Sequence, residues 1–144
     1  MTTISTTTTT STIASQRVTD DRRVNHAHEL FGINFPMQLE PVIYTFASNL
    51  SEDYTGGYWQ FYSLSNDGFY MAPDDDHIYR VTCENGFKGR LSADALGVTV
   101  CLYAYSHLSF GDGDFADTCA QHYHWLREYM LEHPEAREIL RAID

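Results

Sequence analysis

The chain has 144 residues, which suits one domain with a sizeable core. It carries 9 Lys and Arg against 20 Asp and Glu, a formal net charge of −11 with neutral His. This excess of negative charge opposes approach to phosphate backbones and anionic lipids, so the composition argues against direct binding of nucleic acids or membrane surfaces.

The three cysteines, Cys83, Cys101 and Cys119, are odd in number and show no paired spacing. The sequence shows no signal-peptide pattern and no apolar run near the roughly 18 residues that a membrane-spanning helix needs. These features predict a cytoplasmic protein with reduced thiols and no insertion into a membrane.

The first 15 residues are rich in Thr and Ser, and Ile4 and Ile13 are their only sizeable apolar residues after the initiator Met. Such a segment cannot bury enough surface to offset the entropy lost on ordering. The sequence therefore predicts a disordered tail over residues 1–15 and a single domain over residues 16–144.

Two helices are predicted before the most aromatic part of the chain. The first begins at Thr19, which can cap it, and ends at Phe31, because Gly32 follows. The second begins near Leu39 or Pro41, since Pro is tolerated in a first helical turn. Its apolar face consists of residues at helical spacing, namely Val42, Ile43, Phe46, Ala47 and Leu50.

Two β-hairpins are predicted next. The aromatic stretch Tyr54–Pro73 predicts a central hairpin with a three-residue loop at 66–68, in which Gly68 is left-handed and Leu64 pairs with Tyr70. Its rings Trp59, Phe61 and Phe69 are predicted to be core.

The second hairpin turns at residues 84–86. A two-residue Asn-Gly loop would set apolar residues opposite charged ones, whereas a three-residue loop pairs Cys83 with Phe87 and Tyr79 with Leu91 on one face. Because the buried face sets the register of a hairpin, the three-residue loop is favoured.

Three more helices complete the predicted fold. The segment after Ser92 is rich in β-formers, but a small-residue stripe favours a helix capped by Ser92. A long helix is predicted over Phe115–Glu132, and a short one begins at Pro134. The stripe comprises Ala93, Gly97, Cys101 and Ala104. The predicted class is α+β: a small antiparallel sheet of two hairpins, about four strands, packed with four to five helices in one compact domain.

No pattern in the sequence identifies an enzyme, a cofactor site or a metal site. The hydrolase elbow, the phosphate-binding loops and the zinc-protease motif are absent. The pairs His26/His28 and His122/His124 diverge on a helix, so neither pair can clamp one metal. Asp74-Asp75-Asp76 lacks the Gly and Glu spacing of a calcium loop, which favours a solvated loop. Catalytic groups that assemble from distant positions would escape such a scan.

One long run of residues is unusual enough to indicate a family. It reads Tyr-Thr-Gly-Gly-Tyr-Trp-Gln-Phe-Tyr-Ser-Leu-Ser-Asn-Asp-Gly-Phe-Tyr-Met-Ala-Pro-Asp over residues 54–74, and shorter matches lie at 85–87, 91–95, 133–136 and 141–144. Together they resemble the ArdB/KlcA antirestriction family over about residues 17–144. The resemblance implies a small cytoplasmic α+β protein, encoded on mobile elements such as plasmids, that protects incoming DNA from type I restriction endonucleases. The resemblance identifies no catalytic residues in this chain.

The residues favour inhibition through protein contact over DNA mimicry or catalysis. A DNA mimic needs phosphate-like rows of carboxylates and very few bases, whereas acids and bases alternate in the last helices here. The predicted contact surface is acidic and includes Asp74, Asp75, Asp76 and Asp144, whose side-chain and terminal carboxylates suit an Arg partner. The expected partner is a type I restriction-modification enzyme or an accessory host protein, bound by a monomer or weak homo-oligomer. The alternatives are an acidic DNA mimic and a small enzyme with a Cys, His and carboxylate site.

Overall fold

A computed structural model describes residues 12–144 of the chain. Within that range it contains five α-helices, one π-helical segment and five strands, so the predicted α+β class is confirmed. Residues 1–11, most of the predicted disordered tail, lie outside the described residues. Ser15, the last residue of that predicted tail, pairs with Leu64 in a β-sheet.

The strands form two antiparallel sheets, where the sequence predicts a single sheet of two hairpins. They are β1 Ser15–Arg17, β2 Trp59–Leu64, β3 Phe69–Pro73, β4 Ile78–Thr82 and β5 Lys88–Ser92. The first sheet has the order β1-β2-β3, and β4 pairs with β5 in the second. Strand β1 was not predicted, because all three of its residues are polar and exposed and show no strand periodicity.

The helices surround these sheets. They are α1 Arg23–Phe31, the π-helical segment Phe35–Leu39, α2 Glu40–Leu50, α3 Ala93–Ser109, α4 Asp114–Met130 and α5 Ala136–Ile143. Gly32 follows α1 with a φ of 60°, as predicted. Thr19 does not cap α1, because it lies one turn earlier, where its carbonyl accepts from the Arg22 N–H (2.9 Å). None of the helices in residues 12–144 has the length and apolar composition needed to cross a bilayer.

Helix α3 lies at the centre of the core, between α2, β3 and α4. It is capped as predicted, since Ser92 Oγ accepts from the Ala95 N–H (3.1 Å). A Cβ at Gly97 would lie 2.5 Å from the Met71 carbonyl oxygen, and Cys101 Sγ donates to the same oxygen at 3.5 Å. The small-residue stripe therefore lets the backbone of β3 approach the helix closely, which confirms the predicted helix.

The second hairpin has the predicted register. Tyr79 pairs with Leu91, and the N–H of Cys83 donates to the Phe87 carbonyl (2.9 Å). Since these four side chains are buried, apolar burial on one face decided the register, as expected.

The first hairpin also has a three-residue loop, but the predicted position of that loop was wrong. The loop comprises residues 65–67, because the Leu64 N–H donates to the Gly68 carbonyl (2.9 Å). Tyr62, and not Leu64, therefore pairs with Tyr70. The predicted core rings Trp59, Phe61 and Phe69 are all buried.

The role of Gly68 explains this shift. Asp67, and not Gly68, takes the left-handed conformation, with a φ of 79°. A Cβ at Gly68 would lie 3.0 Å from Trp125 Cβ on α4. The glycine is thus required for the close approach of a helix, a tertiary contact that local turn rules do not describe.

Candidate functional site

The acidic loop, Asp74 to Asp76, joins β3 to β4, and all three side chains are exposed. Asp75 orders the loop, because it accepts from the His77 N–H (3.0 Å) and from the Tyr79 hydroxyl (2.6 Å). Asp74 accepts from Gln60 Nε2 (3.1 Å). These donors are neutral, so no salt bridge within residues 12–144 neutralises the charge of the acidic loop.

Asp144 lies apart from the acidic loop. The C-terminal end of α5 is fixed to the β4-β5 turn, since Asn85 Nδ2 donates to the carbonyls of Arg141 (3.0 Å) and Ala142 (3.2 Å). The acidic loop lies at the opposite end of β4. The structure therefore brings Asp74, Asp75 and Asp76 together but leaves exposed Asp144 on a separate part of the surface.

The cysteines do not form a nucleophilic site. All three are free and buried. Burial raises the pKa of the Cys101 and Cys119 thiols to about 12 and also raises the pKa of Cys83, so each thiol is protonated near neutral pH. Among residues 12–144, no group of three or more His, Cys, Asp or Glu side chains is placed to hold a metal ion.

A hydrogen-bonded cluster, the Asp94 network, links β3, α3 and the start of α5. Asp94 Oδ1 accepts from the Tyr70 hydroxyl (2.7 Å), and Oδ2 lies 2.7 Å from His133 Nε2. His133 Nδ1 accepts from the Glu135 N–H (2.9 Å), so Nε2 carries the proton that is donated to Asp94. The Glu135 carboxylate in turn accepts from the N–H and hydroxyl of Ser92.

Every polar side-chain atom in the Asp94 network has a partner, and the ring of His133 is almost completely buried. Desolvation and the neighbouring Asp94 carboxylate raise the pKa of Tyr70 well above its ordinary value. The network thus resembles a catalytic arrangement in composition, but its groups are engaged with each other. Its geometry is suited to holding three elements together.

The histidine pocket is a cavity of about 410 Å³ between α1, the first hairpin and α4. Helices α1 and α4 each supply side chains that are three or four residues apart. This spacing places the side chains of each helix on one face, next to each other on the pocket wall. They are His26, Glu29 and Leu30 from α1, with Thr118, Gln121, His122 and Trp125 from α4. The hairpin adds Ser63, Leu64, Asp67 and Gly68. One His of each predicted His-x-His pair lines this pocket, while His28 and His124 are exposed on other faces.

The two histidines of this pocket are electrically neutral and incompletely bonded. His122 is 2% exposed and its Nδ1 has no hydrogen-bond partner among the described residues, nor has Nε2 of His26. Burial lowers the pKa of His122 to about 4 and also lowers the pKa of His26. The ring of His122 packs against Phe31 and Trp125, with centroids 4.7 and 5.0 Å apart.

Sequence reasoning missed both the histidine pocket and the Asp94 network. The separate His-x-His pairs, the acid in the first turn of α3 and the His before Pro134 each had an ordinary local explanation. The spacings of His26 with Leu30 and of His122 with Trp125 were the available signal, because they put each pair on one face of a helix. That spacing does not show which helices pack against each other.

Comparisons with known proteins identify close relatives. Residues 52–144 match the family model for antirestriction protein. The chain is 38% identical over 135 residues to antirestriction protein KlcA of Escherichia coli, covering 92% of this chain and 95% of that protein. A second KlcA of Escherichia coli is 40% identical over 140 residues, with 93% and 95% covered. Uncharacterized protein YafX of Escherichia coli K12 is 43% identical over 131 residues, with 88% and 85% covered.

A solved structure extends the likeness to the whole fold. It comes from work on the KlcA and ArdB proteins and matches with a TM-score of 0.87 at 38% identity, covering 96% of this chain and 100% of that chain. KlcA and ArdB are described there as having a novel fold and antirestriction activity against type I DNA restriction systems in vivo but not in vitro.

Proposed function

The chain belongs to the antirestriction protein family, and from this premise we propose that it counters type I DNA restriction by contacting another protein rather than by catalysis. The observation that carries the proposal is the activity of KlcA and ArdB in vivo but not in vitro. A protein that acts only inside the cell needs a component that the purified reaction lacks. The partner is therefore a type I restriction-modification enzyme in its cellular state, or an accessory host protein.

The charge distribution supports a protein partner with a basic surface. The net charge is −11, and the exposed acidic loop makes no salt bridge within residues 12–144. Uncompensated surface carboxylates steer a basic partner and can accept charge-assisted hydrogen bonds from Arg. We propose Asp74, Asp75 and Asp76 as the main contact, with Asp144 as a second, separate contact.

The chemistry of the described residues supports binding more than catalysis. A general base is normally oriented by a second polar group, and the two histidines of the pocket have no carboxylate partner within residues 12–144. His133 has such a partner, but both of its ring nitrogens are already engaged. The protonated, buried cysteines fit a reduced compartment, and we propose a cytoplasmic location.

The test combines Asp74→Asn, Asp75→Asn, Asp76→Asn and Asp144→Asn in one protein. The matched control carries Glu52→Gln, Asp112→Asn, Glu128→Gln and Glu132→Gln, which remove the same charge from exposed positions elsewhere. Plating of unmodified phage on a host with a type I system measures protection. We expect the acidic-surface variant to lose most of its protection while the control keeps it.

Two further measurements make this result decisive. Urea denaturation of both variants separates loss of contact from loss of fold: the replaced side chains are exposed, and Asp75→Asn keeps one of the two acceptor oxygens that order the loop, so the two variants should differ by no more than about 1 kcal/mol. Affinity capture from the restricting host then identifies the bound protein. Undiminished protection by the acidic-surface variant would remove these four residues from the mechanism, and equal loss in both variants would favour DNA mimicry by total charge.

A further inference from the structure

We propose that the histidine pocket is a docking site for an arginine side chain of the partner protein. This inference rests on the proposed function, because it assigns a specific contact to the same inhibitory complex. Four features of the pocket carry it: its size and apolar walls, the charge of its rim, the state of its two histidines, and the fixed position of Asp67.

The size and walls of the pocket suit one long side chain. Its volume of about 410 Å³ lies in the range typical of small ligand sites. The walls are mostly apolar and include Leu30, Leu64 and Trp125. Leu side chains can cover the aliphatic stem of an arginine, and the face of a Trp is the preferred surface for stacking a guanidinium group.

The rim of the pocket selects for positive charge. Glu29 and Asp67 are exposed and line the pocket from two different elements, α1 and the hairpin loop. Neither Lys nor Arg lines the pocket, although Arg22 lines an adjoining cleft that shares His26 and Ser63 with it. An anionic ligand such as a phosphate would meet two carboxylates without a counter-charge, whereas a guanidinium would be bound by both.

The two histidines of the pocket carry no charge that would repel a cation, because burial lowers the pKa of both rings. His122 is 2% exposed and His26 is half-buried, and each keeps a buried ring nitrogen without a partner among the described residues. A neutral imidazole has one nitrogen that accepts. Guanidinium carries five N–H donors and no acceptor, so it complements the exposed carboxylates of Glu29 and Asp67 beside uncharged imidazoles.

The backbone of Asp67 is held in place by its own loop. Asp67 has a φ of 79°, a conformation that side-chain-bearing residues adopt at a cost. The loop keeps this shape because Asn66 Nδ2 donates to the Trp125 carbonyl (2.9 Å), while Asn66 Oδ1 accepts from the Gly68 N–H (3.1 Å). The backbone position of Asp67 at the rim is therefore set before a ligand binds, which lowers the entropy lost on binding.

Nuclear magnetic resonance on the full chain tests the site with blocked arginine, N-acetylarginine methylamide, as the probe. Blocked citrulline, which has the same shape without the charge, is the control ligand. We expect blocked arginine to shift the Trp125 indole and His122 ring signals saturably, and blocked citrulline to leave them unchanged. The double variant Glu29→Gln, Asp67→Asn should bind blocked arginine about five- to tenfold more weakly.

A matched variant and a cellular assay separate this inference from the proposed function. Asp112→Asn with Glu132→Gln removes the same charge from exposed positions outside the pocket and should bind the probe like the original protein. The pocket variant should also lose protection of phage at unchanged stability. Equal shifts by citrulline, no shift by arginine, or full protection by the pocket variant would each overturn the docking site. Absence of protection by the original protein would instead overturn the proposed function.

Discussion

His133 and His122 are both buried histidines, yet one is fully hydrogen-bonded and the other is not. His133 donates to Asp94 and accepts from the Glu135 N–H, while Nδ1 of His122 has no partner among the described residues. Buried polar groups are normally satisfied when their role is structural. The comparison therefore separates a part of the molecule that holds the fold from the pocket that we propose as a binding site.

The same contrast extends to the neighbouring carboxylates. Asp94 has both oxygens engaged by groups of its own chain, whereas Glu29 and Asp67 make no salt bridge within residues 12–144. Substitutions in the Asp94 network should thus lower the stability of the protein. Substitutions in the histidine pocket should change ligand binding and the pH dependence of stability. They should not change the stability at neutral pH.

Asp94→Ala should give the larger loss of stability and is the strongest test of the structural side of the comparison. It removes the acceptor of two buried donors, the Tyr70 hydroxyl and His133 Nε2. Losing both hydrogen bonds should lower the free energy of unfolding by about 2–3 kcal/mol, measured by urea denaturation, because Asp94 is partly exposed and the Tyr70 hydroxyl keeps Ser15 as a partner. Asp94→Asn, which keeps one acceptor, should cost less. A loss below about 1 kcal/mol for Asp94→Ala would show that the network does not hold the fold.

His122→Phe should have a smaller effect at neutral pH, and its effect depends on pH. The pKa of His122 is lowered from 6.5 to about 4 by burial, so the unfolded chain binds more protons than the folded chain between these values. The stability contributed by neutral His122 is therefore complete above pH 6.5 and is lost as the pH falls toward 4. The loss should reach about 3 kcal/mol, and His122→Phe should remove that part of the pH dependence.

At neutral pH the same variant should be within about 1 kcal/mol of the original protein, because it replaces an unpartnered polar ring by an apolar one. Thermal and urea unfolding at several pH values measure both effects. A large loss of stability at pH 7, or an unchanged pH dependence of stability, would show that His122 is hydrogen-bonded and belongs with the structural part of the molecule.

The fold was predictable wherever local patterns and burial agree. The second hairpin follows its apolar face, so the pairing of Tyr79 with Leu91 could be worked out from alternation. Ser92 and the small residues after it define the start and the packing face of α3. The predicted position of the first hairpin loop was wrong, because Gly68 is required for the close contact with Trp125, which lies far away in the sequence.

The sites were less predictable because they are assembled from separate elements. The acidic loop is contiguous, so its exposure followed from composition, and its role in binding remains a prediction. The histidine pocket needs α1, a hairpin and α4 to meet, and the Asp94 network needs Asp94 to meet a residue of the α4-α5 connection. The spacing of residues in the sequence does not specify these contacts, because they depend on how the helices pack.

Inhibition by binding, rather than by turnover, is tested most directly by varying the number of copies of this protein in a cell with a type I system. Protection of unmodified phage DNA is measured at each level, with the captured partner supplied at a fixed level. A binder should protect in proportion to its ratio to that partner, and raising the level of the partner should abolish protection. Full protection from a few copies, unaffected by extra partner, would contradict the account and indicate a catalyst.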